Sequence, residues 1–184
     1  MGKKWQQGWW VPAQRVDSPN FSARPENERV SLVVIHNISL PPFEYGNGAV
    51  EKLFTNTINP EAHPFFGVIH ELRVSSHFFI DRNGGTVQFV SCDDMAYHAG
   101  VSSFRGREKC NLYSIGIEME GCDFEPFTDA QYQSLTTLLQ EIARHYPIEA
   151  VTGHQDIAPG RKSDPGHFFD WQRIYAYGIP VVRC

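Results

Sequence analysis

The stretch Val151-Thr-Gly-His-Gln-Asp-Ile-Ala-Pro-Gly-Arg-Lys-Ser-Asp-Pro-Gly166 constrains this chain more than any other. It opens as a short apolar strand and turns at Gly153. It continues as a loop whose glycines and prolines fix the backbone around His154, Lys162 and Asp164. An imidazole and a carboxylate ten positions apart cannot meet on one straight element, but a loop folded back on itself brings them together. Two such donors are one short of a catalytic zinc site, which takes three protein ligands and keeps a further position open. The donor that completes the set is His36, at the C-terminal end of the apolar run Ser31-Leu-Val-Val-Ile-His36. The residues thus point to a zinc site of His36, His154 and Asp164. Each donor has a plainer alternative: His36 as a hydrogen-bonded strand histidine, His154 as a ring that orders a loop, Asp164 as a cap on the turn before Pro165.

The rest of the chain supplies a frame for such a site. Residues 30–36 are apolar on both alternating faces, as in a strand covered on both sides. Active groups often lie just past the C-terminal ends of such strands in α/β folds. In Ser114-Ile-Gly-Ile-Glu-Met-Glu-Gly121 the period of two puts Ile115, Ile117 and Met119 on one face. Gly116, Glu118 and Glu120 share the other, which reads as a cleft floor or a solvent face. Residues 74–81 and 86–90 form a hairpin at a sheet edge, turned by Asn83-Gly84-Gly85, with Val87 and Phe89 facing one way. Thr128-Asp-Ala-Gln131 is a capping box that opens a helix running to about Tyr146. Its buried stripe is Leu135, Leu138, Leu139, Ile142 and Tyr146. A short helix is expected over 49–55 and a final one over 168–177. Residues 56–73 read as a long surface loop bordering a cleft, residues 92–111 as loop with brief turns, and residues 1–29 as an irregular arm whose Trp5, Trp9 and Trp10 pack on the domain surface. The expected fold is α/β (α+β), one domain over 1–184, with a central mixed β-sheet flanked by helices.

Composition sets the outer bounds. A chain of 184 residues, 41% apolar and 20% charged, supports one sizeable core. The formal charge of -5 offers no general attraction to nucleic acid or to anionic lipid. No apolar run approaches the roughly 20 residues that span a bilayer. The lysines near the N-terminus precede no apolar core, so a signal peptide is not expected, and Gln6 stands where a myristoylation signal needs Ser or Thr. Cys92, Cys110, Cys122 and Cys184 show no CxxC spacing, which suits a reducing cytosol; a disulfide in an exported protein is the open alternative. A monomer is expected.

Glu118 stands between apolar neighbours on its strand, and a buried carboxylate without a partner carries a heavy desolvation cost. A cleft that exposes it to a metal-activated water would remove much of that cost and shift its pKa toward that of a general base. The alternative is an exposed edge-strand glutamate. Glu120 could orient that water or hold a loop. Lys162 lies within the folded-back loop. Among the eight histidines, His77 competes most seriously as a ligand; otherwise it is a sheet histidine that orients a neighbour. His98, in a loop, could touch substrate. HExxH, Walker A, GxGxxG and GxSxG patterns are absent from the sequence.

Several separated segments resemble, in order, the AmpD-type N-acetylmuramoyl-L-alanine amidases of the zinc amidase and peptidoglycan-recognition superfamily. They are Val33-Val-Ile-His-Asn-Ile-Ser-Leu-Pro-Pro42, Arg73-Val-Ser-Ser-His77, Ala96-Tyr-His-Ala-Gly-Val-Ser-Ser103, Cys110-Asn111 with Ser114-Ile-Gly-Ile-Glu-Met-Glu-Gly121, and Thr152-Gly-His154 through Lys162-Ser-Asp164-Pro-Gly166. The resemblance covers nearly the whole chain. It implies a cytoplasmic enzyme that cuts the amide between (1,6-anhydro-)N-acetylmuramic acid and L-alanine of small muropeptides. It implies one Zn²⁺ on His36, His154 and Asp164, Glu118 as the acid–base residue and Lys162 as the cation that stabilises the oxyanion. Asn37, Arg73, His98 and Arg107 fall in segments expected near substrate. Asp as third ligand, where much of the wider family carries Cys, fits the AmpD subgroup; Tyr97 departs from it, standing where Trp is expected. The rival functions are a non-catalytic muropeptide-binding module, which would not need all five of the metal and catalytic residues, and a regulatory metal-binding module, which saturable binding with zinc but no amide product would favour.

Overall fold

The computed structural model describes residues 4–175 and 180–183. Met1, Gly2, Tyr177, Gly178 and Cys184 lie outside these. The centre is a six-stranded sheet in the order Ala150–Gly153, Leu32–Ile38, Ser114–Glu120, Phe78–Ile80, Thr86–Gln88, Gln14–Arg15. The first four strands are parallel, Thr86–Gln88 is antiparallel to Phe78–Ile80, and Gln14–Arg15 runs parallel to Thr86–Gln88, so the sheet is mixed. The hairpin turn forms because the Asp81 carboxylate accepts the backbone N–H groups of Asn83 and Gly85 at 2.7 and 2.9 Å.

The helix Asp129–His145 covers one face. Its capping box is complete, with Thr128 Oγ1 accepting from the Gln131 N–H at 3.1 Å and Gln131 Oε1 from the Thr128 N–H at 3.0 Å. Leu135, Leu138, Leu139 and Ile142 of this helix pack with Val33, Ile35, Ile115, Ile117 and Met119 of the sheet. The opposite face is divided. Leu32, Val34 and Ala150 pack with Ala99, Phe104, Cys110 and Ile157, whereas Phe79, Val87 and Phe89 pack with Leu40, Leu53, Phe54 and Ile69. Along the Leu32–Ile38 strand, His36 falls between the two apolar clusters, and on the neighbouring strand Glu118 pairs directly with it. The polar gap between two cores is where the site forms.

Several elements differ from the sequence reading. The loop expected over 56–73 contains a helix, Pro64–Ile69. His63 caps it by accepting from the Phe65 N–H at 3.0 Å, and Pro64 supplies the fixed φ that suits a first helical turn. The strand expected over 74–81 is confined to Phe78–Ile80, because Ser75, Ser76 and His77 are buried with their side chains bonded to backbone. The hairpin is not the sheet edge: Gln14–Arg15 of the arm lies outside it. The arm also forms the Trp5–Gln6/Trp9–Trp10 ribbon and a strand, Phe21–Ala23, that pairs with Asp94–Ala96. Near the C-terminus the helix within the described residues is Gln172–Tyr175; residues 168–171 precede it as turn, and Asp170 accepts from the Gln172 N–H at its start.

Candidate metal centre and its cavity

Three parallel strands deliver the site at their C-terminal ends. His36 stands near the end of Leu32–Ile38, Glu118 near the end of Ser114–Glu120, and His154 directly after Ala150–Gly153, as the first residue of the short helix His154–Ile157. The chain then folds back. The Gln155 N–H donates to the Asp164 carbonyl at 2.9 Å, and the N–H groups of Arg161 and Lys162 donate to the Ala158 carbonyl at 3.1 Å. Gly153 permits this closure: a Cβ there would come within 2.9 Å of the Pro165 ring and 3.1 Å of the Asp156 carboxylate.

His36 Nδ1, His154 Nδ1 and Asp164 Oδ2 form an equilateral triangle with 3.0 Å sides. Among the described residues they form the group of His and acidic side chains able to hold a metal ion. His154 Nε2 donates to the Ala99 carbonyl at 3.1 Å, which leaves Nδ1 as its lone-pair atom. Acceptor atoms facing one another at this separation repel unless a proton or a cation lies among them. Donors on a tetrahedral zinc, with bonds of about 2.0–2.1 Å, stand about 3.3 Å apart. The observed triangle is a few tenths of an ångström tighter, within what small ring rotations open. The donor set therefore fits zinc.

Burial lowers the His36 pKa to about 4; the hydrogen bond to Asp164 opposes this, and the positive fields of His154 and Lys162 add to it. The ring is thus neutral at physiological pH, as a ligand must be. Burial works against ionisation of Asp164, but its contacts with His154 and His36 outweigh that and hold it well below the usual carboxylate range. Glu118 behaves oppositely. It is 8% exposed, and its Oε2 is buried with no hydrogen-bond partner. Burial, reinforced by the Asp164 charge and opposed by Lys162, pushes its pKa well above the ordinary value.

A cavity of ≈ 270 Å³ opens on this group. Its polar lining includes His36, Asn37, Tyr97, His98, Glu118, His154, Lys162 and Asp164, and its apolar wall is Ile38, Leu40, Leu53, Phe54, Ile69, Leu72 and Val74. The 56–73 segment thus does border the cleft. Arg73 and Arg107 lie outside the lining. Arg73 is exposed and donates to the His70 and Leu72 carbonyls, while Arg107 pairs with Glu28 and lies over the Tyr113 ring at 3.8 Å. Asn37 donates to Asp123 at 2.6 Å. Glu120 holds loops, accepting from the N–H groups of Gly46 and Arg82. His77 accepts from the Gly116 N–H and meets the Asp94 carbonyl, away from the triangle, so it is a sheet histidine that orients its neighbours. Sequence reasoning did not single out Ser114, Asn111 or Arg161 as supports of the site. Asn111 and Ser114 fall within the quoted motifs, which was the available signal.

The N-acetylmuramoyl-L-alanine amidase family model matches residues 26–167. The 1,6-anhydro-N-acetylmuramyl-L-alanine amidase AmpD of Escherichia coli (strain K12) is 54% identical over 171 residues, which are 92% of this chain and 93% of that protein. The crystal structure of a Se-Met AmpD derivative superposes with a TM-score of 0.91 at 52% identity, covering 94% of this chain and 97% of the other. The N-acetylmuramyl-L-alanine amidase AmiD from E. coli, in complex with the substrate anhydro-N-acetylmuramic acid-L-Ala-D-gamma-Glu-L-Lys, is 31% identical with a TM-score of 0.61, over 86% of this chain and 60% of that one.

Proposed function

The chain belongs to the N-acetylmuramoyl-L-alanine amidase family, and from that premise we propose that it hydrolyses the amide between 1,6-anhydro-N-acetylmuramic acid and L-alanine of muropeptides during peptidoglycan recycling, with one zinc ion on His36, His154 and Asp164. The observation that carries the reading is the 3.0 Å triangle of donors sharing one cavity with a buried, unpartnered carboxylate. A module that only bound muropeptides would have no use for that carboxylate, whose burial costs stability. The AmiD complex supports the substrate class. We place the protein in the cytoplasm; Cys92 and Cys110, buried as free thiols, are in keeping with reducing surroundings.

Zinc bound there would supply Lewis acidity, lowering the pKa of a water and polarising the carbonyl under attack. The chain's own groups manage the protons. Glu118 takes the proton of the attacking water and holds it, which its raised pKa favours. It then delivers that proton to the alanine nitrogen as the C–N bond breaks. The Lys162 ammonium, on the cavity lining, stabilises the carbonyl oxygen as it becomes anionic. The apolar wall limits access of bulk water, which strengthens both interactions. Asn37 is the proposed contact for the substrate inside the cavity. Arg73 and Arg107, off the lining, reach only peptide that extends beyond it.

The test is mass spectrometry of products from a defined anhydro-muropeptide, with and without chelator. The expected products are the anhydro sugar and the intact peptide, lost on chelation and restored by zinc. Saturable binding of the muropeptide with no cleavage by the zinc-loaded protein would overturn the enzymatic reading.

A further inference from the structure

We infer that His98 is a positioning residue of the metal centre: it accepts the Nε2 proton of His36 and so turns the Nδ1 lone pair of His36 toward His154 and Asp164. This rests on the reading of His36, His154 and Asp164 as ligands. One hydroxyl sets the direction of the hydrogen bonds from Ser114 through His98 to His36. Ser114 Oγ donates its single proton to the Cys110 carbonyl at 2.6 Å. It can then only accept at its 3.2 Å contact with His98 Nε2, so that nitrogen carries the ring proton. His98 Nδ1 is left as an acceptor, and His36 Nε2 fills it at 2.9 Å. His36 therefore keeps its proton on Nε2 and its lone pair on Nδ1, the atom 3.0 Å from His154 Nδ1 and Asp164 Oδ2.

The next residue does the same for the other ring, since the Ala99 carbonyl accepts from His154 Nε2. Two successive residues thus fix the tautomers of both histidines. Their backbone is held in turn. Asn111 Oδ1 accepts from the N–H groups of His98 and Ala99 at 3.2 and 2.8 Å, and Arg161 donates to the carbonyls of Ala99 and Val101. Gly116 makes room for the ring, because a Cβ there would come within 2.5 Å of His98. Both ring nitrogens of His98 are engaged, so it has none to offer a substrate. Outer partners of this kind orient metal-binding imidazoles and raise their basicity.

The experiment compares zinc affinity of the whole chain, by competition with a chromophoric chelator, in wild type, His98→Leu and His98→Asn. Asn and Leu have similar shapes, but Asn Oδ1 falls near the position of the histidine Nδ1 and accepts a proton. Zinc affinity should fall about 10–100-fold in H98L and stay within about threefold of wild type in H98N. The low-field His36 Nε2 proton in the ¹H NMR spectrum of the zinc-loaded protein should persist in wild type and H98N and be lost in H98L. Wild-type affinity in H98L overturns the role, and so does an equal loss in both variants, which would mark His98 as packing alone. A wild-type chain that takes up no zinc overturns the metal-site reading itself.

Discussion

His77→Asn tests, by its effect on stability against pH, whether the folded protein holds His77 as a buried neutral ring. The ring is fully buried, accepting from the Gly116 N–H at 3.0 Å and meeting the Asp94 carbonyl at 3.1 Å. Burial, with the positive field of Arg24 adding to it, lowers its pKa from 6.5 to about 3. The folded ring thus stays neutral over a range in which the unfolded chain takes up a proton. The unfolded state binds more protons there, so stability is full above pH 6.5 and falls as pH drops toward 3, by about 1.4 kcal/mol per pH unit. At pH 5 the loss from this one group is about 2 kcal/mol. Asn keeps an acceptor for Gly116 but does not titrate. H77N should be less stable than wild type at pH 7.5 by about 1–3 kcal/mol, the cost of leaving the Asp94 carbonyl short of a donor. That gap should narrow by about 2 kcal/mol at pH 5. Urea unfolding followed by tryptophan fluorescence, at saturating zinc so that the ligands titrate alike in both proteins, measures it. A gap that stays constant between the two pH values would refute the reasoning.

The remaining predictions concern the centre itself. Asp164→Ala should weaken zinc binding by more than the ~10–100-fold of an outer-shell change; unchanged zinc content after dialysis would remove Asp164 from the ligand set. Glu118→Gln should keep zinc and lose about 10²–10⁴ in kcat, and near-normal turnover would strike Glu118 from the mechanism. The same variant has a second readout without metal. Without metal, burial favours the protonated form of Glu118 in the folded state, so the stability of wild type relative to E118Q should fall as pH rises above 4.5.

Two helices were legible in the sequence for physical reasons. Thr128 and Gln131 cap each other through neighbours in sequence, and a 17-residue helix shows its stripe at Leu135, Leu138, Leu139 and Ile142. The short helix Ala49–Phe54 was also readable from Val50, Leu53 and Phe54 on one side. The Pro64–Ile69 helix was missed because Pro-Phe-Phe-Gly-Val-Ile has no polar residue to mark a face, and its cap is a histidine ring. The arm's pairings are two or three residues long, below any alternation that could be read, and they form because distant partners such as Thr86–Gln88 and Asp94–Ala96 present open edges. The triangle was legible in residue type but not in proton direction. Nothing in the motif Ala96-Tyr-His-Ala-Gly100 says which nitrogen of His98 is protonated; that depends on a serine 16 positions away.

The division of labour between sheet and loop gives the site its character. Glu118 faces His36 because the Leu32–Ile38 and Ser114–Glu120 strands pair along their whole length, from Ser114 on Leu32 to Glu120 on Ile38. The spacing between Glu118 and His36 is therefore a ladder spacing, set by the strand register. A slip of one residue would turn Glu118 and Glu120 into the helix-side core and bring Ile117 or Met119 to the cavity, burying two carboxylates in apolar surroundings. The helix-side packing of Ile115, Ile117 and Met119 against Leu135, Leu138 and Leu139 opposes that slip at every step. Asp164 and Lys162 reach the same place by a loop pinned at Gln155 and Ala158. The strand pair fixes where Glu118 stands relative to His36, while the loop brings Asp164 and Lys162 to the same cavity.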